Sequence, residues 1–347
     1  MRTRRMLVTI AAMALAVTAC GEGLEDSSGD DAGGSATEDT GGSGSMAIDE
    51  CRDESVELPA GDESLDGATI TVGSKDFDEQ LILGHLAKAA LESAGATVED
   101  QINLGGTNPT RQALLSNEID TYWSYTGTAW ISFFEQSDPI PDRVEQYEAV
   151  KACDWINNEI AWTEPTPFNN TYGIAFASEA ADDLGNPQSI SDLATLIEEQ
   201  PEKMTLCVET EFNTRNDGLP GMEEHYGFDI PDDQVSVLDT GVVYSSTDRR
   251  EPCNFGEVFT TDGRIAALDL TVLEDDEGFF PLYNVAPVFT KEVFEQYGTA
   301  LRDLFNPISA ALTQDAMTEL NKRVSADGES PESVAQDFLE SNDLLAG

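Results

Sequence analysis

The chain has 347 residues and a formal net charge of −49, with 67 acidic side chains against only 18 lysines and arginines. This balance excludes a nucleic-acid-binding protein, because phosphate binding needs clustered Lys and Arg, and it disfavours adsorption to anionic lipid. Residues 51–347 exceed the size of one typical hydrophobic core, which favours two domains.

Residues 1–20 predict a secretory signal peptide of the lipoprotein type. Three arginines stand within the first five residues, an apolar run follows over residues 6–16, and small residues lead to Cys20. The apolar run is shorter than the roughly 20 residues of a membrane-spanning helix, and no later stretch approaches that length. We therefore expect an extracytoplasmic protein that is anchored by lipid on Cys20 to the outer face of the cell membrane. The choice between the Sec and twin-arginine export routes stays open.

Residues 21–50 predict a disordered, acidic Gly/Ser tether between this anchor and the folded body. The segment is rich in Gly, Ser, Asp, Glu and Thr, with almost nothing apolar. So little apolar surface cannot offset the conformational entropy lost on ordering.

Four further cysteines, an even number in an oxidising compartment, predict two disulfides with three connectivities open. Their spacings are too wide for a CxxC metal site. We favour Cys51 with Cys153 and Cys207 with Cys253, because each bond then stays within one of the predicted domains.

From residue 68 the sequence alternates between strand and helix patterns. The first part predicts a strand at 68–72, a helix at 77–94, a strand at 98–104, a helix at 111–117, a strand at 119–123 and a helix at 144–160. After a proline-containing break at 162–167 come strands at 173–177, 204–208, 235–238 and 265–270, and then a return through 284–289 to about three short helices ending near residue 345.

This alternation predicts an α/β fold with a parallel sheet covered on both faces. We expect one lobe to comprise residues 51–167 plus 281–347 and the other to comprise 168–280. Two crossings between the lobes would form a hinge, and a cleft between domains is where small ligands commonly bind.

Several strand ends carry more unusual residues than a scaffold needs. Residues 73–80 lie where a strand passes into a helix, so backbone amides together with Lys75 favour an anion there. Tyr125 and Thr128 are three residues apart across a glycine and can face the same space. A simple helix-start role for residues 73–80 and a core role for Tyr125 stay open as alternatives. Arg215 stands out because basic residues are scarce, and its guanidinium offers the forked geometry that a carboxylate accepts.

An enzyme is the main alternative from another class. The sequence has no GxSxG, HExxH or P-loop motif, and no GxGxxG opening a helix. Its two histidines, His85 and His225, are expected to be structural or surface residues. A purely structural surface lipoprotein is a further alternative, and it would bind no ligand.

In their order and spacing these segments resemble the substrate-binding proteins of glycine betaine/choline (quaternary amine) ABC importers, the ProX-type family, from about residue 68 to 345. The motifs that carry the resemblance are GSKDFDEQLILG, INLGGT, YTGT, NNTYG, EFNTRNDGLPG, FTTDGRIAAL and FPLYNVAP. The resemblance implies a two-lobed periplasmic-binding-protein fold of the Venus-flytrap kind (type II-like), with a hinge and the ligand in the interdomain cleft. It also implies a monomer without cofactor or metal that delivers its ligand to an ABC permease.

The resemblance further implies a role for individual residues. An aromatic cage for a quaternary ammonium group would be formed by Tyr125, Tyr172, Phe259 and Tyr283, with a backbone contact from Asn170. The ligand carboxylate would meet Lys75, Thr128 and Arg215. The sequence departs from the family pattern at Phe259, where a tyrosine is expected, and by an apparent insertion around 244–253.

The chemistry of a quaternary ammonium group fits this arrangement. Such a group has no N–H to donate and is weakly hydrated, so aromatic faces attract it at roughly 0.5–2 kcal/mol each. With contacts from both lobes, the ligand would favour closure. We expect glycine betaine or a related osmolyte, and we expect weaker choline binding because Lys75 and Arg215 would lack an anion. A protein that prefers choline or carnitine remains the alternative.

Overall fold

The computed structural model describes residues 46–346 of the chain. The predicted signal peptide at 1–20, the lipidation of Cys20 and most of the predicted tether at 21–50 lie outside these residues. Within residues 46–346, no helix combines the length and the apolar character that crossing a membrane requires.

Strands and helices alternate along the described residues. The strands are β1 Thr69–Gly73, β2 Thr97–Gln101, β3 Thr121–Tyr125, β4 Ile160–Trp162, β5 Tyr172–Ala177, β6 Leu206–Val208, β7 Val235–Val237, β8 Phe255–Phe259, β9 Leu270–Val272 and β10 Val285–Thr290. The helices are α1 Ile48–Cys51, α2 Asp78–Ser93, α3 Thr107–Leu115, α4 Thr126–Thr128, α5 Arg143–Asn158, α6 Asp192–Glu199, α7 Leu219–Tyr226, α8 Thr240–Arg249, α9 Arg264–Ala267, α10 Lys291–Ala311, α11 Gln314–Ser325 and α12 Pro331–Ser341.

The strands form two five-stranded mixed sheets. The first has the order β2-β1-β3-β10-β4 and the second the order β7-β6-β8-β5-β9. In the first sheet β10 is antiparallel to β3 and β4, and in the second β5 is antiparallel to β8 and β9. The prediction of a parallel sheet was therefore wrong for these two strands. Each enters its sheet from a segment that crosses over from the other sheet, without the returning helix that a parallel neighbour needs.

The region after residue 254 also differs from the prediction. Residues 265–270 were expected to form a strand, but α9 begins at Arg264 and the strand β9 follows it. A short apolar run such as Ile265 to Ala267 fits either structure, so its pattern alone cannot decide. The strand β8 was not predicted, and α10, with 21 residues, is not a short helix.

Alternation along the strands divides the core of the first sheet into two faces. In β3, Trp123 and Tyr125 join a cluster that includes residues of α2, α10, α11 and α12, whereas Tyr122 joins a separate cluster with residues of α3 and α5. The sheet is thus covered by helices on both faces, and Tyr125 at the end of β3 is buried between them and the second sheet's aromatic residues.

The two segments that cross between the sheets lie side by side. Asn169 and Asn284 form an isolated antiparallel bridge. Asn284 Nδ2 donates to the carbonyl of Phe168 at 2.7 Å, and the backbone N–H of Tyr283 donates to Asn169 Oδ1 at 2.7 Å. This pairing brings Tyr283 close to the start of β5 at Tyr172, although the two are far apart in sequence.

The four cysteines of the described region form two disulfides, Cys51–Cys153 and Cys207–Cys253. This is the pairing that the sequence favoured. The first bond ties α1 to α5 beside the first sheet, and the second ties β6 of the second sheet to the segment after α8. Each bond therefore stiffens the surroundings of one sheet.

Candidate ligand-binding site

A cavity of about 690 Å³ opens between the ends of strands from the two sheets. Its volume falls within the range of about 300–1,000 Å³ that is common for small-molecule sites. All eight residues predicted to contact a ligand lie on its wall: Lys75, Tyr125, Thr128, Asn170, Tyr172, Arg215, Phe259 and Tyr283. The structure thus brings the predicted residues together, while their roles towards a ligand stay a prediction.

Strand pairing explains the position of the aromatic rings. Tyr172 and Phe259 are direct partners in the β5–β8 register, and their ring centroids are 5.3 Å apart. Tyr283, held by the paired crossing segments, meets the Tyr172 ring edge to face at 5.5 Å. Tyr125 approaches from the end of β3 on the other side of the cavity.

Phe77 is a fifth aromatic residue on the cavity wall, and it was not predicted there. Its ring stacks on Phe259 at 5.2 Å and lies 6.2 Å from Tyr125, so it connects the aromatic residues of the two sheets. The sequence pattern predicted residue 77 as the first residue of a helix, whereas Phe77 precedes α2 at the N-cap position. Its place beside Lys75 at a strand end was the signal that could have identified it.

Close packing explains why residue 127 of the YTGT motif is glycine. A Cβ atom at Gly127 would lie 2.8 Å from the Tyr283 ring and 2.7 Å from the carbonyl oxygen of Leu282. Only glycine therefore allows the short helix α4 to approach Tyr283 this closely. The next residue, Thr128, is buried on the cavity wall.

Glu79 is a buried carboxylate directly behind the aromatic wall. Its Oε1 accepts hydrogen bonds from the Tyr125 hydroxyl at 2.8 Å and from Asn170 Nδ2 at 2.9 Å. Its Oε2 accepts from Thr261 Oγ1 at 2.7 Å and from Asn321 Nδ2 at 2.8 Å. Burial raises the pKa of Glu79, and these four bonds oppose the rise. One side chain thereby joins β3, a crossing segment, the loop after β8 and α11.

Lys75 is a nearly fully buried cation on the cavity wall. Its Nζ donates to Thr107 Oγ1 at 2.8 Å and lies 4.9 Å from the centre of the Tyr125 ring. Burial lowers the pKa of Lys75 to about 8, against the opposing effect of the Glu211 carboxylate. Its charge therefore depends on pH close to the physiological range.

Arg215 is engaged by acidic residues of its own chain. Its Nε donates to Asp217 Oδ1 at 2.8 Å and its Nη2 to Asp217 Oδ2 at 2.5 Å, while Nη1 donates to Glu211 Oε2 at 3.2 Å. The Tyr283 hydroxyl also donates to Asp217 Oδ2, at 2.6 Å. The Arg215 guanidinium, which was assigned from the sequence to a ligand carboxylate, thus binds Asp217 and Glu211. Neither of these two acidic residues was selected from the sequence.

Glu211 extends from the second-sheet side of the cavity to the first residue of α3. Thr107 donates its backbone N–H to Glu211 Oε1 and its hydroxyl to Oε2, the latter at 2.7 Å. Burial alone would raise the pKa of Glu211, but Lys75 and the Thr107 bonds outweigh it and hold that pKa below its usual value. The carboxylate is therefore ionised and bonded across the cavity.

The cavity wall carries more acidic than basic side chains. Beside Glu211 the acids are Asp76, Asp78, Glu209 and Asp239, and the bases are Lys75, Arg215 and Arg264. Such a wall attracts cations. Within residues 46–346, no group of three or more His, Cys, Asp or Glu side chains is placed to hold a metal ion. The arrangement is suited to binding a small organic cation.

Comparison with known proteins agrees with this geometry. Residues 68–341 match the family model of the substrate-binding domain of ABC-type glycine betaine transport systems. The glycine-betaine-binding protein of Pseudomonas aeruginosa is 38% identical over 282 residues, covering 80% of this chain and 89% of the relative. The glycine betaine-binding protein YehZ of Escherichia coli is 33% identical over 275 residues, covering 78% of this chain and 89% of the relative.

A solved structure described as a glycine betaine/carnitine/choline ABC transporter superposes with a TM-score of 0.64 at 26% identity, over 80% of this chain and 99% of the other. This likeness agrees with the α/β architecture of two mixed sheets, the two-lobed fold of periplasmic binding proteins. The chain belongs to the family of substrate-binding domains of ABC-type glycine betaine transport systems, which are transport proteins and not enzymes.

Proposed function

We propose that the protein captures a small quaternary-ammonium solute such as glycine betaine outside the cytoplasm and delivers it to the permease of an ABC importer. The observation that carries the proposal is the set of four aromatic rings that line the same cavity: Tyr125, Tyr172, Phe259 and Tyr283. A methylated ammonium group gains cation–π attraction from such rings without a hydrogen-bond partner. The names of the two relatives, both glycine-betaine-binding proteins, support the same ligand class.

The proposal assigns the two ends of the ligand to two parts of the cavity. The ammonium group lies among the rings, near the backbone of Asn170, and the acidic tail lies towards Lys75, Thr128 and Arg215. Because these residues come from the surroundings of both sheets, binding favours approach of the two sides of the cavity. We assign residues 51–167 plus 281–347 to one moving lobe and residues 168–280 to the other, with lipid on Cys20 anchoring the protein to the membrane.

The second candidate is a larger ligand such as carnitine, or a ligand without a charged tail such as choline. The cavity of about 690 Å³ is large for a molecule as small as glycine betaine. The solved relative whose description names carnitine and choline supports this candidate. Competition calorimetry with glycine betaine, carnitine and choline ranks the three.

The test of the proposed function compares Tyr172→Ala with Tyr172→Phe by isothermal titration calorimetry. The alanine variant removes a ring that touches two other aromatic residues of the wall, so we expect its affinity for the preferred amine to fall by about tenfold or more. The phenylalanine variant keeps the ring and should stay within about threefold of wild type. Unmethylated glycine serves as the control ligand. Absence of binding by all three quaternary amines, or equal loss in both variants, would refute the proposal.

A further inference from the structure

We propose that Glu211 is a specificity-determining residue, because its carboxylate occupies the donors at the anion end of the cavity and competes for them with the carboxylate of a ligand. The inference rests on the proposed function, since it concerns how the same cavity distinguishes zwitterionic from purely cationic quaternary amines. It concerns a residue that the sequence interpretation did not select.

Two of the groups assigned to a ligand carboxylate are engaged with Glu211: Arg215 bonds it directly, and Lys75 is linked to it through Thr107. Both Thr107 donors and Arg215 Nη1 bond its two oxygens. Lys75 Nζ donates to the same Thr107 hydroxyl that donates to Glu211. The three groups therefore form one chain of donors that ends on a carboxylate of the protein itself.

The backbone opposite Glu211 is shaped to receive this carboxylate. A Cβ atom at Gly106 would lie 2.4 Å from Glu211 Oε1, so a side chain at residue 106 would displace the carboxylate from this position. Helix α3 begins at Thr107, and Gly106 supplies no side-chain cap for it. Glu211 provides the missing acceptor from the other side of the cavity, which is the role that an N-cap side chain usually plays.

Arg215 has a second carboxylate partner besides Glu211. Asp217 binds Arg215 through two nitrogens, and only 1% of the Asp217 side chain is exposed. Arg215 therefore has carboxylate partners without a ligand, and Lys75, whose Nζ bonds Thr107, lies in the field of the Glu211 carboxylate. The reason for expecting weak choline binding, an unpaired buried cation, does not hold while Glu211 stays in place. The carboxylate of glycine betaine gains little over the hydroxyl of choline, because it must displace a carboxylate that is already bound.

The experiment measures the dissociation constants of glycine betaine and choline by calorimetry for wild type and Glu211→Gln. The glutamine leaves Lys75 without its neighbouring anion, so a ligand carboxylate becomes the better partner. We expect the ratio of the choline to the betaine dissociation constant to rise by about tenfold, or about 1.4 kcal/mol. Asp239→Asn is the matched control, because it removes a negative charge from the same wall. Because choline carries a net positive charge and glycine betaine is a net-neutral zwitterion, this control should weaken choline binding somewhat more, and the ratio should rise by no more than about threefold.

Glu211→Ala is the second variant, and circular dichroism melting shows that each variant folds. A ratio in both Glu211 variants that matches wild type, or a rise of the same size in Asp239→Asn, overturns the proposed role of Glu211 while leaving the proposed function intact. Failure of wild type to bind either amine overturns the proposed function and this inference together.

Discussion

Replacing Glu79 with glutamine tests whether the buried carboxylate holds the wall of the cavity together. The change keeps the size and shape of the side chain and replaces one acceptor oxygen with an amide donor. Glu79 accepts four hydrogen bonds, two on each oxygen, from side chains of four different parts of the fold. In the glutamine variant, the side-chain NH2 group faces two of these donors, and two donors cannot form a hydrogen bond with each other.

The size of the effect follows from which partners can adjust. With the amide placed at the Oε2 position, the Thr261 hydroxyl can rotate to accept a hydrogen bond. Asn321 can offer its oxygen only by turning its amide, which breaks the 3.1 Å bond from its Nδ2 to the carbonyl of Thr261. At least one hydrogen bond to a charged group is then lost, at about 1.5–3 kcal/mol, and the bonds that remain are weaker. We expect the free energy of unfolding to fall by about 2–4 kcal/mol.

Urea unfolding followed by circular dichroism measures this difference, provided that the slope with denaturant is unchanged. Glu92→Gln is the matched control, since Glu92 lies on the same helix in an exposed pair with Lys88. The free energy of unfolding of Glu92→Gln should fall by about 0.5 kcal/mol or less. If Glu79→Gln costs no more than the control, Glu79 is already protonated in the fold and the account of four bonds to a carboxylate is refuted.

Two further predictions concern the charge of Lys75 and the membrane anchor. Since the pKa of Lys75 is about 8, the affinity for glycine betaine should fall as pH rises through that value, and titration calorimetry of Lys75→Met should show a flat profile. The same depressed pKa means that the unfolded chain binds more protons between about pH 8 and 10.5, so Lys75 should make the free energy of unfolding increase with pH across that window. Cys20→Ser should move the protein from the membrane fraction to the soluble fraction, and mass spectrometry that finds no lipid on Cys20 of the wild-type protein would contradict the anchor.

Much of the fold could be predicted because its signals are local. The short apolar runs that correspond to β1 and β5 predicted each strand to within one residue of its observed start. The direction of β5 and β10 has no such signal, because it depends on how the chain crosses between two sheets. The prediction of a strand at 265–270 was wrong for a related reason. Residues 265–267 are helical because of how they pack, which their composition does not reveal.

The candidate site shows the same division. Residues at strand ends could be selected from their motifs, and in the structure they line one cavity. The partners of Arg215 could not be selected in the same way. Glu211 and Asp217 are close to it in sequence, but they are two of 67 acidic residues, and only the folded chain shows which of them reach the guanidinium. Phe77 was missed because helical spacing explained it equally well.

The surplus of carboxylates on the cavity wall makes capture depend on ionic strength in two stages. In dilute medium the negatively charged wall attracts positively charged solutes over distances of about 10 Å or more. In roughly 1 M salt the Debye length falls to about 3 Å, and inorganic ions screen that attraction. Attraction by the rings acts at contact and survives such screening. Binding of the proposed quaternary-ammonium ligand at the rings should therefore persist at salt concentrations that abolish the long-range attraction.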